Sequence, residues 1–426
     1  MLEQDEEGQR KRASVELFAG GGGLACGVEA AGFRPLLLNE FDRRACETLR
    51  LNGAEPHRDL GDPPIPEEGQ APPLVEGDVR LVSFKYLKGR VDLLAGGPPC
   101  QPFSLGGVAK GDEDNRNMFP QMFRAVREIR PKVVICENVR GLLRPSFAPY
   151  FDYIQRELEL PFTTRAKGAT WRDHDALLRE RGRSKRIAAH RRYLVERFPV
   201  NAADYGVPQI RHRVILVAFR ADLRVDVERF KKLVETEYAL YSETELYRSM
   251  RDGRYWERHN DVPKHVRDRV MERIPKTLPE PDGDAPRPWR TLRDALKGIG
   301  DQTELPPVPV KLMDRKTEIK GIKDHIGWPD ARIYDGHTPN ELDRPAKTVK
   351  AGVHGVPGGE SVVMLDDGSH RYMTVRETAR VMTFPDDHQL DGPRGEKMRQ
   401  LGNAVPVLLG EAFAKAVANA LDHAGH

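Results

Sequence analysis

The stretch Asp92–Ser104, DLLAGGPPCQPFS, stops an apolar run on two glycines and then sets Cys100 among Pro98, Pro99 and Pro102. Prolines fix φ and remove backbone donors, so a thiol in this turn is pre-aimed and loses little freedom on reaction. A buried structural cysteine is the commoner fate of the residue. A place just past a strand, where ligands bind in open α/β sheets, favours a nucleophile. A free cysteine has a pKa of about 8.5, so activation needs nearby positive charge or helix N–H groups. KVVICENVRGL supplies a second strand end, with Glu137 and Asn138 at its tip. Neighbouring strand ends can deliver a thiolate and a carboxyl to one cleft, although a helix cap or a surface acid is an equally open role for Glu137. YGVPQIRHRVILVAF adds Gln209, Arg211 and Arg213 before a further strand. Alternation sends both arginines to one face, where they suit a phosphate, a carboxylate or a base carbonyl, or else a structural salt bridge.

ELFAGGGGLACGVEAAGF sets Phe18, Ala19, Gly20, Gly21, Gly22, Gly23 and Leu24 between a strand and a helix. Glycine permits positive φ and close backbone approach, and the helix N-terminus offers free N–H groups. Glu40, followed by Phe41, ends the second strand eighteen positions beyond Gly22, where a carboxylate can accept both ribose hydroxyls of an adenosine. Asp78, followed by Val79, comes after a short apolar run and can accept from an adenine amino group. No GxxxxGK[ST] is present, so a nucleoside triphosphate lacks its lysine. The cradle points to an adenosine-bearing cofactor and leaves a dinucleotide and S-adenosylmethionine both open.

These residues need a frame. SVELF, RPLLLNE, VDLLAGG, KVVICEN and RVILVAF are short apolar runs, and helical segments fall between them. Continuous apolar strands separated by helices predict a doubly wound α/β domain with a mostly parallel sheet buried on both faces, over residues 1–220. The rhythm is lost over 221–370, rich in Pro, Gly and charge, which predicts a smaller irregular domain. In the last segment, 371–426, Val405, Leu409, Phe413, Val417 and Leu421 repeat every four residues, as in a helix returning to the large domain.

The chain has 426 residues, enough for two domains, and four widely spaced cysteines with no metal-ligand cluster. No run approaches the roughly 18 apolar residues of a membrane span, and the charged start lacks a signal peptide's apolar core; a cytoplasmic protein with no metal is expected. Charge is uneven. Residues 161–192 hold ten Lys/Arg against three Asp/Glu, a local +7 that leaves the rest of this +3 chain at −4. A local polyanion contact and a solvated helical insertion both fit that pattern.

Taken together and in order, these segments resemble the DNA cytosine-5 methyltransferases. FAGGGG resembles the family's first motif, NE at 39–40 its ribose position, GDV its adenine position, GPPCQPFS its catalytic motif and ENV the carboxylate partner. QIRHR matches its Gln-x-Arg-x-Arg pattern, and RYMTVRETARVMTFP and GNAVPVLLGEAF resemble its last two motifs. The resemblance implies a Rossmann-like, S-adenosylmethionine-dependent enzyme of bacterial or archaeal type, acting as a monomer on double-stranded DNA, with restriction or defence proteins as partners. It implies Cys100 as the nucleophile at cytosine C6, Glu137 at N3, and Arg213 on the base carbonyl. Arg211, Gln209, Asn138 and Pro99 then support the site. Gly97, Met118, Asn403 and Ala404 join the cofactor residues, and Ser104 and Arg116 meet DNA. A base inside a duplex is out of reach of such a thiol, so the target must be flipped out. The family runs from ENV to YGVPQ with little between, so the resemblance leaves the basic segment unexplained; Lys185 and Arg186 are expected to add phosphate contacts. Residues 221–370 stand where the family has its target-recognition domain. A transfer-RNA methyltransferase of related fold lacks support, since its CFT triplet is absent, and a catalytically silent scaffold does not account for an intact Cys100, Glu137 and Arg213.

Overall fold

The computed structural model describes residues 11–59, 61–99, 117–184, 186–280, 286–333, 335–336, 338–351 and 361–426. Cys100, Ser104, Arg116 and Lys185 therefore lie outside the described residues.

The five apolar runs become β1 (Ala13–Leu17), β2 (Arg34–Glu40), β5 (Leu93–Gly96), β6 (Val133–Val139) and β8 (His212–Arg220) of an eight-stranded sheet, which also takes in three strands not singled out from sequence, β3 (Glu55–His57), β4 (Pro73–Glu76) and β7 (Tyr193–Asn201). Their order is β3-β4-β2-β1-β5-β6-β8-β7, and β8 alone runs against the rest. The inner strands β2, β5, β6 and β8 read as nearly continuous apolar runs because both faces are covered, whereas the edge strand β7 alternates buried and exposed residues. One face carries α3 (Phe119–Ile129), α4 (Ala148–Glu159) and α5 (Trp171–Gly182), and α2 (Arg43–Leu51) packs against β2 and β4. The other carries α1 (Gly23–Ala30), the segment around Phe230 and Leu233, and the terminal helix Val407–His423. The four-residue repeat expected in that helix is the buried stripe: Leu409, Phe413, Val417 and Leu421 are each at most 1% exposed. The helical stretch Arg394–His423 does contain an 18-residue window apolar enough for a membrane span, contrary to the expectation from sequence. Two thirds of that window is buried inside the fold, so its apolar character is that of a core helix.

Register sets what stands at the rim. Leu17 pairs with Gly96 and with Asn39, Gly96 with Cys136, and Glu40 with Glu76. Phe18, Gly97, Glu40 and Asp78 therefore stand at nearly the same level at the sheet's carboxyl end, and Glu137, two residues before the end of β6, stands beside them. Because β8 is antiparallel to β6, Arg213 pairs with Val139 and enters at that same end.

The later residues fold as short helices with a two-stranded and a three-stranded sheet. Leu246, Tyr255, Trp256 and Trp289 make one small core, and Leu292, Val349, Val363, Val381 and Leu401 make another.

Candidate active site

At the carboxyl end of the sheet lies a cavity of about 710 Å³. Phe18, Ala19, Gly20, Gly21, Gly23, Leu24, Glu40, Phe41, Asp78, Val79, Gly97, Pro99, Met118, Asn403 and Ala404 line it, as do Glu137 and Asn138. Of the predicted cofactor residues, only Gly22 is off the wall. It sits at φ +87° as the N-cap of α1, a left-handed turn that aims the helix's free N–H groups inward. Gly23 answers a second demand: a Cβ there would collide with the Val405 carbonyl, so the chain's last segment can pack against α1.

Glu40 is held by three backbone donors. Gly20 N–H donates to its Oε2 (2.7 Å), and Phe41 and Asp42 N–H donate to its Oε1 (2.8 and 2.7 Å). Three of its roughly four lone-pair sites are thus engaged, and the remaining one is on Oε2. Asp78, on the cavity wall, already has a charged partner. Arg80 Nε donates to both of its oxygens at 2.9 and 2.8 Å, and this neighbour holds its carboxyl below the usual range. Phe41, 75% exposed, leaves an apolar ring at the cavity mouth suited to a flat heterocycle.

On the β5–β6 side, Arg213 Nε meets Glu137 Oε1 at 2.7 Å, with both side chains 11% exposed. Asn138 Nδ2 donates to the Pro98 carbonyl at 2.9 Å, and Met118 N–H donates to the Pro99 carbonyl at 3.3 Å. A Cβ on Gly97 would stand 3.5 Å from Glu137 Oε2. The backbone immediately before Cys100 is thus pinned beside the Glu137 carboxyl.

Arg211 stands one residue before β8, near enough for the charge of Arg213 to act on it. It is 1% exposed and donates to the carbonyls of Val349 (2.9 Å), Gly402 (2.8 Å) and Ala404 (2.9 Å) and to Gln209 Oε1 (3.4 Å). Gln209 Oε1 also accepts from Val349 N–H at 3.1 Å. Both residues tie the late segments to the cavity from behind and do not line it. Burial, with Arg213 as a like charge, pulls the Arg211 guanidinium below its ordinary range.

Two residues not singled out from sequence belong to the cradle. Glu16, in β1, lines the cavity at 4% exposure, and its Oε2 has no partner. Burial, then the charge of Glu40, pushes its carboxyl well up. A glutamate interrupting SVELF was the available signal. His388 packs beneath the glycine turn, with Nε2 donating to the Gly21 carbonyl at 3.0 Å. Burial pulls its imidazole down to about 4. An imidazole lowered from about 6.5 stabilises the fold above 6.5, and that contribution fades as pH falls toward 4. The loss amounts to on the order of 3 kcal/mol over that window. In thermal melts, His388→Gln should therefore flatten the loss of stability between pH 6.5 and 4; an unchanged slope removes His388 from that role.

Among the described residues no group of three or more His, Cys, Asp and Glu could hold a metal. The arrangement offers two adjoining stations. One is the glycine turn at the start of α1 with the Glu40 carboxylate, and the other is the Glu137–Arg213 pair beside the backbone of Gly97–Pro99.

The family model for C-5 cytosine-specific DNA methylase matches residues 13–160 and 191–419. The chain is 34% identical to the Type II methyltransferase M.Eco47II of Escherichia coli, covering 96% of this chain and 79% of that protein. It is 32% identical to M.PspPI of a Psychrobacter species (98% and 82%) and 26% identical to M.HhaI of Haemophilus parahaemolyticus (96% and 94%). Among solved structures, the fold is similar to a Spodoptera frugiperda DNMT2 variant, with a TM-score of 0.51 at 15% identity, covering 96% of this chain and 99% of that one. The chain therefore belongs to the C-5 cytosine-specific DNA methylase family and is a DNA cytosine-5 methyltransferase of bacterial type.

Proposed function

We propose that the enzyme methylates C5 of a cytosine turned out of duplex DNA, using S-adenosylmethionine and a transient bond from Cys100 to C6, as the modification arm of a restriction or defence system. The Glu137–Arg213 pair carries this reading, because it stands beside the pinned backbone that leads into Cys100.

The cavity fits the cofactor. Its volume lies within the usual range for small-molecule sites, Glu40 can take the ribose hydroxyls, and the unpartnered Glu16 oxygen leaves an acceptor for a positive group. S-adenosylmethionine bound there supplies an electrophilic methyl group. Cytosine C5 is too poor a nucleophile to take it unaided. Addition of the Cys100 thiolate to C6 turns the ring into an enamine-like carbon nucleophile. Glu137 holds the proton at N3, and Arg213, already bonded to that carboxyl, reaches the base carbonyl and balances the charge. After C5 is methylated, a base removes the C5 proton, the C6–sulfur bond breaks and Cys100 leaves as the thiolate. Ser104 and Arg116 meet the DNA backbone, and residues 221–370 read the target sequence through side chains in the grooves.

Transfer of a labelled methyl group to duplex DNA, with sequencing to map the modified cytosines, tests the proposal. Modification confined to one short sequence is expected, and Glu137→Gln should lower kcat by roughly 10²–10⁴-fold. Transfer to transfer RNA instead of DNA supports an RNA-modifying enzyme.

A further inference from the structure

The family model leaves out residues 161–190, and this added segment is built into the domain. Thr170 and Asp173 form a capping box that starts α5. The helix lies along α4: Trp171 packs edge-on against Tyr150 (5.2 Å), His174 Nδ1 lies 3.1 Å from the Tyr153 hydroxyl, and Arg156 binds Asp175 at 2.6 Å. It runs in the same direction as α4, so its end lies far from its start. At the start, Tyr150 accepts from Asn117 (2.5 Å), close to the cavity wall at Met118. At the end, the Gly182 carbonyl accepts from Arg192, whose own carbonyl accepts from Ala221 N–H beyond β8. That is the amino end of the parallel strands, where Val133 pairs with Phe219, opposite the reaction cavity.

Arg165, Lys167 and Arg172 lie before or at the start of α5, and the rest of the segment's basic residues come at its last turns or after it. Arg181, Arg183, Arg186 and Arg191 are exposed there, and the guanidinium groups of Arg130 and Arg191 both lie over the Phe162 ring, at 5.1 and 5.5 Å. Two of the segment's three carboxylates are spent internally, Asp173 in the cap and Asp175 between Arg156 and Arg179. The C-terminus of α5 adds a favourable site for cations but neutralises only part of them.

We infer that this end of the domain is a second binding surface for the phosphate backbone of duplex DNA, holding a segment other than the one in the reaction cleft. The inference rests on DNA being the substrate. A duplex held at the carboxyl end does not reach the opposite end of the sheet, and long DNA offers other segments at high local concentration. Such a surface is sequence-independent, salt-sensitive and in the micromolar range or weaker.

The test uses intact enzyme already saturated with a short target duplex and S-adenosylhomocysteine, to which a fluorescent duplex lacking the target is added. The wild type should bind it, with anisotropy falling as salt rises. Arg181→Glu combined with Arg183→Glu should weaken that binding at least tenfold and lower the log–log salt slope by about 2. Methylation of the short duplex should stay unchanged, and the milder Arg181→Gln, Arg183→Gln pair should give an intermediate loss. Equal binding of the second duplex by wild type and the charge-reversed protein overturns the inference, as does a parallel loss of short-duplex methylation, which moves the patch to the cleft. A wild type that methylates no duplex at all overturns the substrate reading itself.

Discussion

Cys100→Ala is expected to lower methyl transfer at saturating DNA by roughly 10⁴-fold or more, about 5.5 kcal/mol of transition-state stabilisation. Without the sulfur, C5 stays an aromatic carbon with no negative character to offer. DNA affinity should change little, because the groups that grip phosphates are elsewhere. On DNA carrying 5-fluorocytosine the wild type should form an adduct that survives denaturation, since fluorine cannot leave C5 as a proton does. The Cys100→Ala protein should form none. The other three cysteines supply a built-in control. Burial pushes Cys26, Cys46 and Cys136 each up to about 12, so all three are neutral thiols at working pH. Inactivation by iodoacetamide should therefore track alkylation of Cys100. A Cys100→Ala enzyme that modifies DNA at the wild-type rate would falsify the covalent route.

The second large effect is on stability. Arg211→Ala removes one guanidinium and leaves three buried carbonyls and the Gln209 amide oxygen short of a donor. Breaking so buried a set costs about 3–5 kcal/mol, a large part of what holds an ordinary domain together. The melting temperature should fall by roughly 10 °C, and much of the protein should aggregate on expression. Arg211→Lys should rescue little, because one ammonium cannot reach carbonyls fanned around a planar fork. A shift of less than 2 °C in either variant, measured by calorimetry, would show that Val349, Gly402 and Ala404 are held by other means.

Much of this was legible in the chain. The strand end at Glu40, the glycine turn and the buried stripe of the last helix follow from local rules of periodicity and backbone geometry and stand in the fold as read, whereas the strand bearing Glu137 runs on to Val139. Arg211 and Arg213 show where such rules stop. Alternation brings both toward one site, but it does not say that segments more than a hundred residues downstream claim the donors of Arg211 while Arg213 goes to Glu137. His388 was not legible at all, since nothing near it in sequence says that it will sit under Gly21. Glu16 did leave a trace, a charge inside an apolar strand, and only the folded cavity explains it. The charge of the basic segment was plain from composition, whereas the end of the sheet that receives it depended on α5 running alongside α4.

The close fit of Gly23 against the Val405 carbonyl has a consequence for how the enzyme is born. A ribosome finishes the first strand and its glycine turn early, yet the surface that backs them is encoded some 380 residues later. Until those codons are translated, the nascent polypeptide has half a pocket. A frameshift or stop near the end of the message would thus yield a silent fragment and spare the cell a half-competent modifier at large on its chromosome.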